Sequence, residues 1–265
     1  KTAQFYWYLG HLMEVFSMVS FTVSNFLPSP ISSTSKFFYT LSIFSIILTY
    51  SIVILKTYPL GFVKTLFSNP LKIINDNNVQ YLLLSIFFYL NFKIQSLIQG
   101  SLYPFTIYSV FHSLNYFRDL ILPILPLINT NLKTNINTKI NYLIKNYYET
   151  SLTIAANSEL IIIFQLVMDI IKKFVILFIY RNTLLISEIF KLFFITSFYL
   201  IFIKIRYNQN NYMKNVVNTY DYKINVFLSS NQRIPSFIQN FWYSIRHMII
   251  FYLSPISLPS PPNRR

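Results

Sequence analysis

Apolar positions gather into six runs near the ~20 residues needed to cross ~30 Å of hydrocarbon. They are Phe5 to Leu27, Phe37 to Leu55, Tyr81 to Ile98, Leu102 to Leu122, Leu160 to Tyr180 and Leu184 to Ile205. Short polar joints at Pro28 to Ser35, at Gly100, Ser101 and Pro104, and at Arg181 to Thr183 group the runs in three pairs, which predicts three helical hairpins. Phe37 to Leu55 is uncharged. The others hold His11 and Glu14, Lys93, His112 with Arg118 and Asp119, Asp169 with Lys172 and Lys173, and Glu188 with Lys191. A charge at the bilayer centre costs ~2.5–3.5 kcal/mol on insertion scales, so pairing along one helix (Asp169 with Lys172 and Lys173, Glu188 with Lys191) or snorkelling near the ends is expected. The arms of the second pair suit a shallow dip into one leaflet as well as a full crossing.

The period changes after Lys204. Met213, Val216, Val217, Tyr220, Ile224, Phe227 and Leu228 recur at steps of three and four, with Lys214, Asn218, Asp221, Lys223 and Asn225 opposite. A second stripe follows Pro235: Phe237, Ile238, Phe241, Trp242, Ile245, Met248, Ile249 and Tyr252, with Gln239, Asn240, Arg246 and His247 on the other side. Both read as amphipathic helices. With no soluble domain left to cover them, they are expected to lie in the membrane surface. Met213, Val217, Tyr220, Ile224, Phe227, Phe237, Phe241, Trp242, Ile245 and Met248 would enter lipid, with Lys214, Lys223 and Arg246 at the headgroups. A weaker stripe at Leu132, Ile136, Ile140, Leu143 and Tyr147 reads as a third surface helix, and a Pro-rich stretch with Arg264 and Arg265 closes the chain.

Composition moves the picture further toward lipid. The 265 residues are 54% hydrophobic, 19% aromatic and 11% charged, with a net charge of +14, which calls for an anionic partner. Phospholipid is favoured over nucleic acid, because the basic residues alternate with apolar ones instead of forming a solvated stripe. Lys1, Lys56, Lys64, Lys72, Lys133, Lys139, Lys145 and every basic residue from Lys204 onward fall on one side of a three-hairpin arrangement, against Lys36 and Arg181 on the other. That bias places both termini in the cytosol. The expected organisation is a membrane domain over 1–205 with cytosolic connectors at 56–79 and 129–157, then a basic amphipathic tail over 206–265.

Catalytic chemistry is not written here. Cys is absent, the three Gly stand alone, and His11, His112 and His247 lie in different segments, so no thiolate, phosphate-cradling loop or metal-ligand spacing is available. The expectation is a protein without enzymatic activity, cofactor or metal.

Certain residues then carry a resemblance. Gln80 to Ile86 followed by Pro104 and by Ser109 to Ser113 is similar to a Tyr-Leu-Leu-x-Ser segment followed by Pro and Ser-x-x-His in the transmembrane protein 33 family. Ala155, Ala156, Asn157 and Glu159 resemble that family's Ala-x-Asn-Glu, Arg206 with Tyr207 its Arg-Tyr, and Ile234-Pro235 to Pro255 its last helix. The resemblance implies a multi-pass protein of the endoplasmic reticulum and nuclear envelope. It further implies association with nuclear pore proteins and tubule-shaping reticulons, and a part in pore assembly or distribution.

The combined reading is an all-α polytopic membrane protein of helical hairpins with C-terminal in-plane amphipathic helices that recognises or stabilises curved membrane. Two other classes fit parts of the chain. AT-rich residue usage with internal charges fits an organelle-encoded respiratory or ATP-synthase subunit, and a polar path through Asp169, Lys172 and Glu188 fits a small transporter or channel.

Overall fold

The computed structural model describes residues 2–26, 33–58, 61–94, 97–98, 100–126, 128–181, 183–231 and 234–253. The helices are α1 Ala3–Phe26, α2 Ser33–Thr57, α3 Phe62–Ser68, α4 Pro70–Ile74, α5 Asn77–Ile94, α6 Tyr103–Tyr116, α7 Thr130–Tyr180, α8 Leu184–Gln209, α9 Asn211–Ser230 and α10 Ser236–Leu253. No strand occurs among the described residues. The first predicted joint and the Pro-rich end lie outside them. Among the described residues, two helices are by length and composition apolar enough to cross a membrane: α2, and α8 over Leu185–Gln209. The chain divides into two compact units, residues 1–158 and 159–265.

In the first unit α1 lies along α2, and α2 and α1 pack in turn on α5 and α6. The α1–α2 seam is built from small residues: Ser17, Ser42, Ser45 and Thr49 are buried. Ser17, Ser45 and Thr49 donate to the carbonyls of Met13, Leu41 and Ser45 on their own helices, so their burial leaves no unmet donor. Gly10 allows the close approach, since a Cβ there would stand 2.4 Å from Thr49 Oγ1. Small residues that let backbones approach are the usual device of helix pairs in lipid, where no hydrophobic force drives helix on helix. Aromatic contacts close the group, with Tyr39 on Phe92, Tyr50 stacked on Tyr81 and Phe88 edge-on to Phe105.

The connector at 56–79 is folded. Ile54, Tyr58, Ile73 and Val79 form a small core with Phe62 and Leu82, and Asp76 accepts from the Asn78 amide at 2.8 Å and from the Tyr58 hydroxyl at 3.0 Å. Burial, then the Asp76 acceptor, push the Tyr58 phenol up to about 12.

Two expectations change. The fourth apolar run is not one helix: α6 has 14 residues, after which the backbone widens into a π turn at Phe117–Ile121 and tightens into a 3₁₀ turn at Leu122–Ile124. Pro123 and Pro126 stop it there. The 129–157 connector and the fifth run merge, because α7 is one helix from Thr130 to Tyr180 in a stretch with neither Gly nor Pro. Within the first unit its early turns are tied down by Arg118, whose Nη1 donates to Asn141 Oδ1 at 2.9 Å, and by Tyr148 edge-on to Phe111.

Candidate membrane-surface site and buried polar pairs

The second unit carries the predicted surface helices. Asn210, extended at φ −119°, ψ 116°, ends α8, and its side chain accepts from the amides of Tyr212 and Met213 at 2.8 and 3.2 Å. This Asn cap starts α9. A single residue thus separates a helix apolar enough to span from the first amphipathic helix.

Met213 and Val216 are buried where α9 leaves α8, and Tyr207 donates to Asn218 at 3.0 Å. Met213, expected to enter lipid, is fully buried at 0% exposure and anchors the root of α9 instead. Farther along, Val217 and Ile224 are half-buried, whereas Tyr220 and Phe227 are exposed. On α10, Trp242 and Ile245 are half-buried, while Phe237 (69%), Phe241 (66%) and Met248 (54%) stand in the open. Lys214 and Lys223 are exposed.

A polar seam joins the two helices. Gln239 Nε2 donates to the Leu228 carbonyl at 2.9 Å, Trp242 Nε1 to Asn225 Oδ1 at 2.9 Å, and Arg246 Nε and Nη2 to the two Asp221 oxygens at 2.8 and 3.0 Å. Steps of three and four backward along α9 are matched by steps of three and four forward along α10, so the helices are antiparallel and in register. The Arg246 contact is a two-point fork, and the Asp221 carboxylate holds its guanidinium above the ordinary value. Trp242 and Arg246, which the sequence pattern assigns to lipid and headgroups, are therefore engaged across the hairpin. That change was invisible in either stripe alone, because it depends on which residues face each other.

Buried polar pairs mark where the motif residues meet. In the second unit Glu159 and Arg206, 1% and 4% exposed at their side chains, approach to 3.7 Å, and the Tyr199 hydroxyl donates to the Glu159 carbonyl at 3.0 Å. Arg206, which its position places among the basic residues after the last hairpin, thus faces a buried carboxylate in place of headgroups. In the first unit His11 Nδ1 shares a hydrogen bond with Ser109 Oγ at 2.8 Å, Thr106 donates to Glu14 at 2.6 Å, and Tyr81 donates to Tyr108 at 3.2 Å. Tyr81 of the Tyr-Leu-Leu-x-Ser run thus meets Tyr108, the residue before the Ser-x-x-His segment, and Ser109 of that segment meets α1. Asp169 takes Lys172 at 3.3 Å as expected, and Glu188 binds Lys173 of α7 in addition to feeling the charge of Lys191 on its own helix. Among the described residues no three His, Cys, Asp or Glu side chains come together as a metal site.

Comparison with known proteins adds a lineage. Residues 1–255 match the family described as Transmembrane protein 33/Nucleoporin POM33. The chain is 30% identical over 261 residues to the pore and endoplasmic reticulum protein of 33 kDa from Saccharomyces cerevisiae, covering 97% of this chain and 93% of that one. It is 25% identical over 265 residues to Tetra-spanning protein 1 of Schizosaccharomyces pombe, with 97% and 86% covered. It is likewise 25% identical over 261 residues to Nucleoporin POM33 of Chaetomium thermophilum, with 93% and 84% covered. No solved structure matches the chain.

Proposed function

The chain belongs to the transmembrane protein 33/nucleoporin POM33 family, and from that premise we propose that it is a non-enzymatic integral membrane protein of the endoplasmic reticulum and nuclear envelope. In this reading it recognises curved membrane through α9 and α10, and so contributes to nuclear pore assembly or distribution and to tubular membrane organisation. Both termini face the cytosol, and nuclear pore proteins and reticulon-type shaping proteins are its protein neighbours.

The observation that carries the reading is the exposed row of Tyr220, Phe227, Phe237, Phe241 and Met248 on helices that follow directly from a spanning segment. An apolar face left open beside a bilayer is covered by lipid. Bending a leaflet opens gaps between headgroups that such rings fill, so affinity rises with curvature. Moving a half-exposed Phe fully out of water stabilises by about 1–2 kcal/mol, and exposed lysines near an anionic leaflet add about 1 kcal/mol each.

Phe237→Asp with Phe241→Asp tests this without touching the polar seam. Full-length protein in giant proteoliposomes should accumulate in thin tethers pulled from the vesicle wall, and the double variant should partition between tether and wall like a tracer lipid. Equal enrichment of the two proteins would remove the mechanism.

A further inference from the structure

Resting on that surface reading, we propose that α9 and α10 meet lipid as one clasped two-helix plate, whose register is set by Asp221 with Arg246 and Asn225 with Trp242.

Helical geometry carries the step. At 100° per residue, the seam residues Asp221, Asn225 and Leu228 share one side of α9, and its apolar stripe lies roughly a quarter of a turn away. On α10 the seam runs through Gln239, Trp242 and Arg246, and its apolar stripe lies roughly a third of a turn away in the same rotational sense. Two antiparallel helices are related by an axis perpendicular to the plane they define, so stripes displaced in the same sense emerge on the same face. The seam therefore aims Tyr220 and Phe227 to the same side as Phe237, Phe241 and Met248.

Exposure along the stripes fits this placement. Ile224 and Ile245, nearest the partner helix, are half-covered, while Phe227 and Phe237, farther from it, are open. The occupant is a lipid surface. α9 starts one residue after a spanning helix, Lys223 stands exposed at the outer flank of the apolar face, and the chain's net charge of +14 complements anionic headgroups. The seam itself is weakly stabilising: Arg246 and Asp221 remain 43% and 31% exposed at their side chains, where an ion pair is worth at most about 1 kcal/mol. Its part is alignment. Wrongly rotated helices could seat one stripe in lipid only by lifting the other out.

Because the chain has no cysteine, introduced thiols report cleanly on the full-length protein in proteoliposomes of phosphatidylcholine with phosphatidylserine. Spin labels placed singly at Tyr220, Phe227, Phe237, Phe241 and Met248 give depth from oxygen and nickel-chelate accessibility; a label pair at Tyr222 and Ser244 gives the interhelix distance. The clasp predicts lipid-like accessibility at all five sites and a single narrow distance. Arg246→Asp should broaden that distance and shift the α10 labels toward water, and Asp221→Arg combined with Arg246→Asp should restore both. Labels that stay in lipid while Arg246→Asp leaves the distance unchanged, or while the charge reversal fails to restore it, overturn the clasp and leave the surface reading intact. Water-like accessibility at all five sites in the parent chain overturns the surface reading itself.

Discussion

Replacing Arg206 by Met strands the Glu159 carboxylate in a site 1% open to solvent. At 3.7 Å the opposite charges attract by about 4 kcal/mol with an effective dielectric of 20. Burial of the two ions offsets most of that gain, so the intact pair contributes little net stability. Loss of one partner is different: the survivor keeps its desolvation cost without its counter-charge, and about 3–5 kcal/mol is expected. Arg206→Met and Glu159→Met should therefore each destabilise strongly, while the double replacement, which removes both ions and leaves apolar side chains of similar bulk, should return to within about 1 kcal/mol of the parent chain. Tyr199→Phe is the internal reference. Its hydroxyl bonds the Glu159 backbone carbonyl, so its loss should cost about 1 kcal/mol, well below the cost of removing either ion. Denaturant unfolding of purified protein in micelles, followed by loss of helical circular dichroism, reads all four. Additive single costs, or a double variant as weak as the worse single one, would refute the coupling.

Two further outcomes follow from other parts of the molecule. Gly10→Ala should destabilise the first unit by about 1–3 kcal/mol, because the new methyl meets Thr49 Oγ1 at 2.4 Å; adding Thr49→Ala should recover most of it, read from the fluorescence of Trp7 after Trp242→Phe leaves a single indole. Lys214→Gln with Lys223→Gln should lower enrichment in phosphatidylserine-containing tethers by about 1 kcal/mol per charge, and leave enrichment in purely zwitterionic tethers unchanged.

Much of the helical inventory was legible because its signals are local. The uncharged run that becomes α2, the turn at Arg181 and the two stripes at Met213 to Leu228 and Phe237 to Met248 all appear as helices or joints close to where periodicity puts them. Reading was weakest where one residue has to choose among partners. Spacing pairs Glu188 with Lys191, three residues on, and the carboxylate also takes Lys173 on the preceding helix, a partner that only the turn between the two helices brings near. Likewise the short α6 and the uninterrupted α7 depend on where the backbone hydrogen-bond pattern changes, and apolar content does not report that.

From the sequence alone come the all-helical class, the preference for lipid and the positions of the amphipathic faces, because each rests on the side-chain period and solubility of a short segment. Only the tertiary structure decided that Arg206 is buried against Glu159, that Met213 roots α9 beside α8, and that Asp221, Asn225 and Leu228 meet Arg246, Trp242 and Gln239. Periodicity tells which side of a helix is apolar. The direction in which that side points is settled when two helices lock, since rotation about each axis is free until a partner removes it.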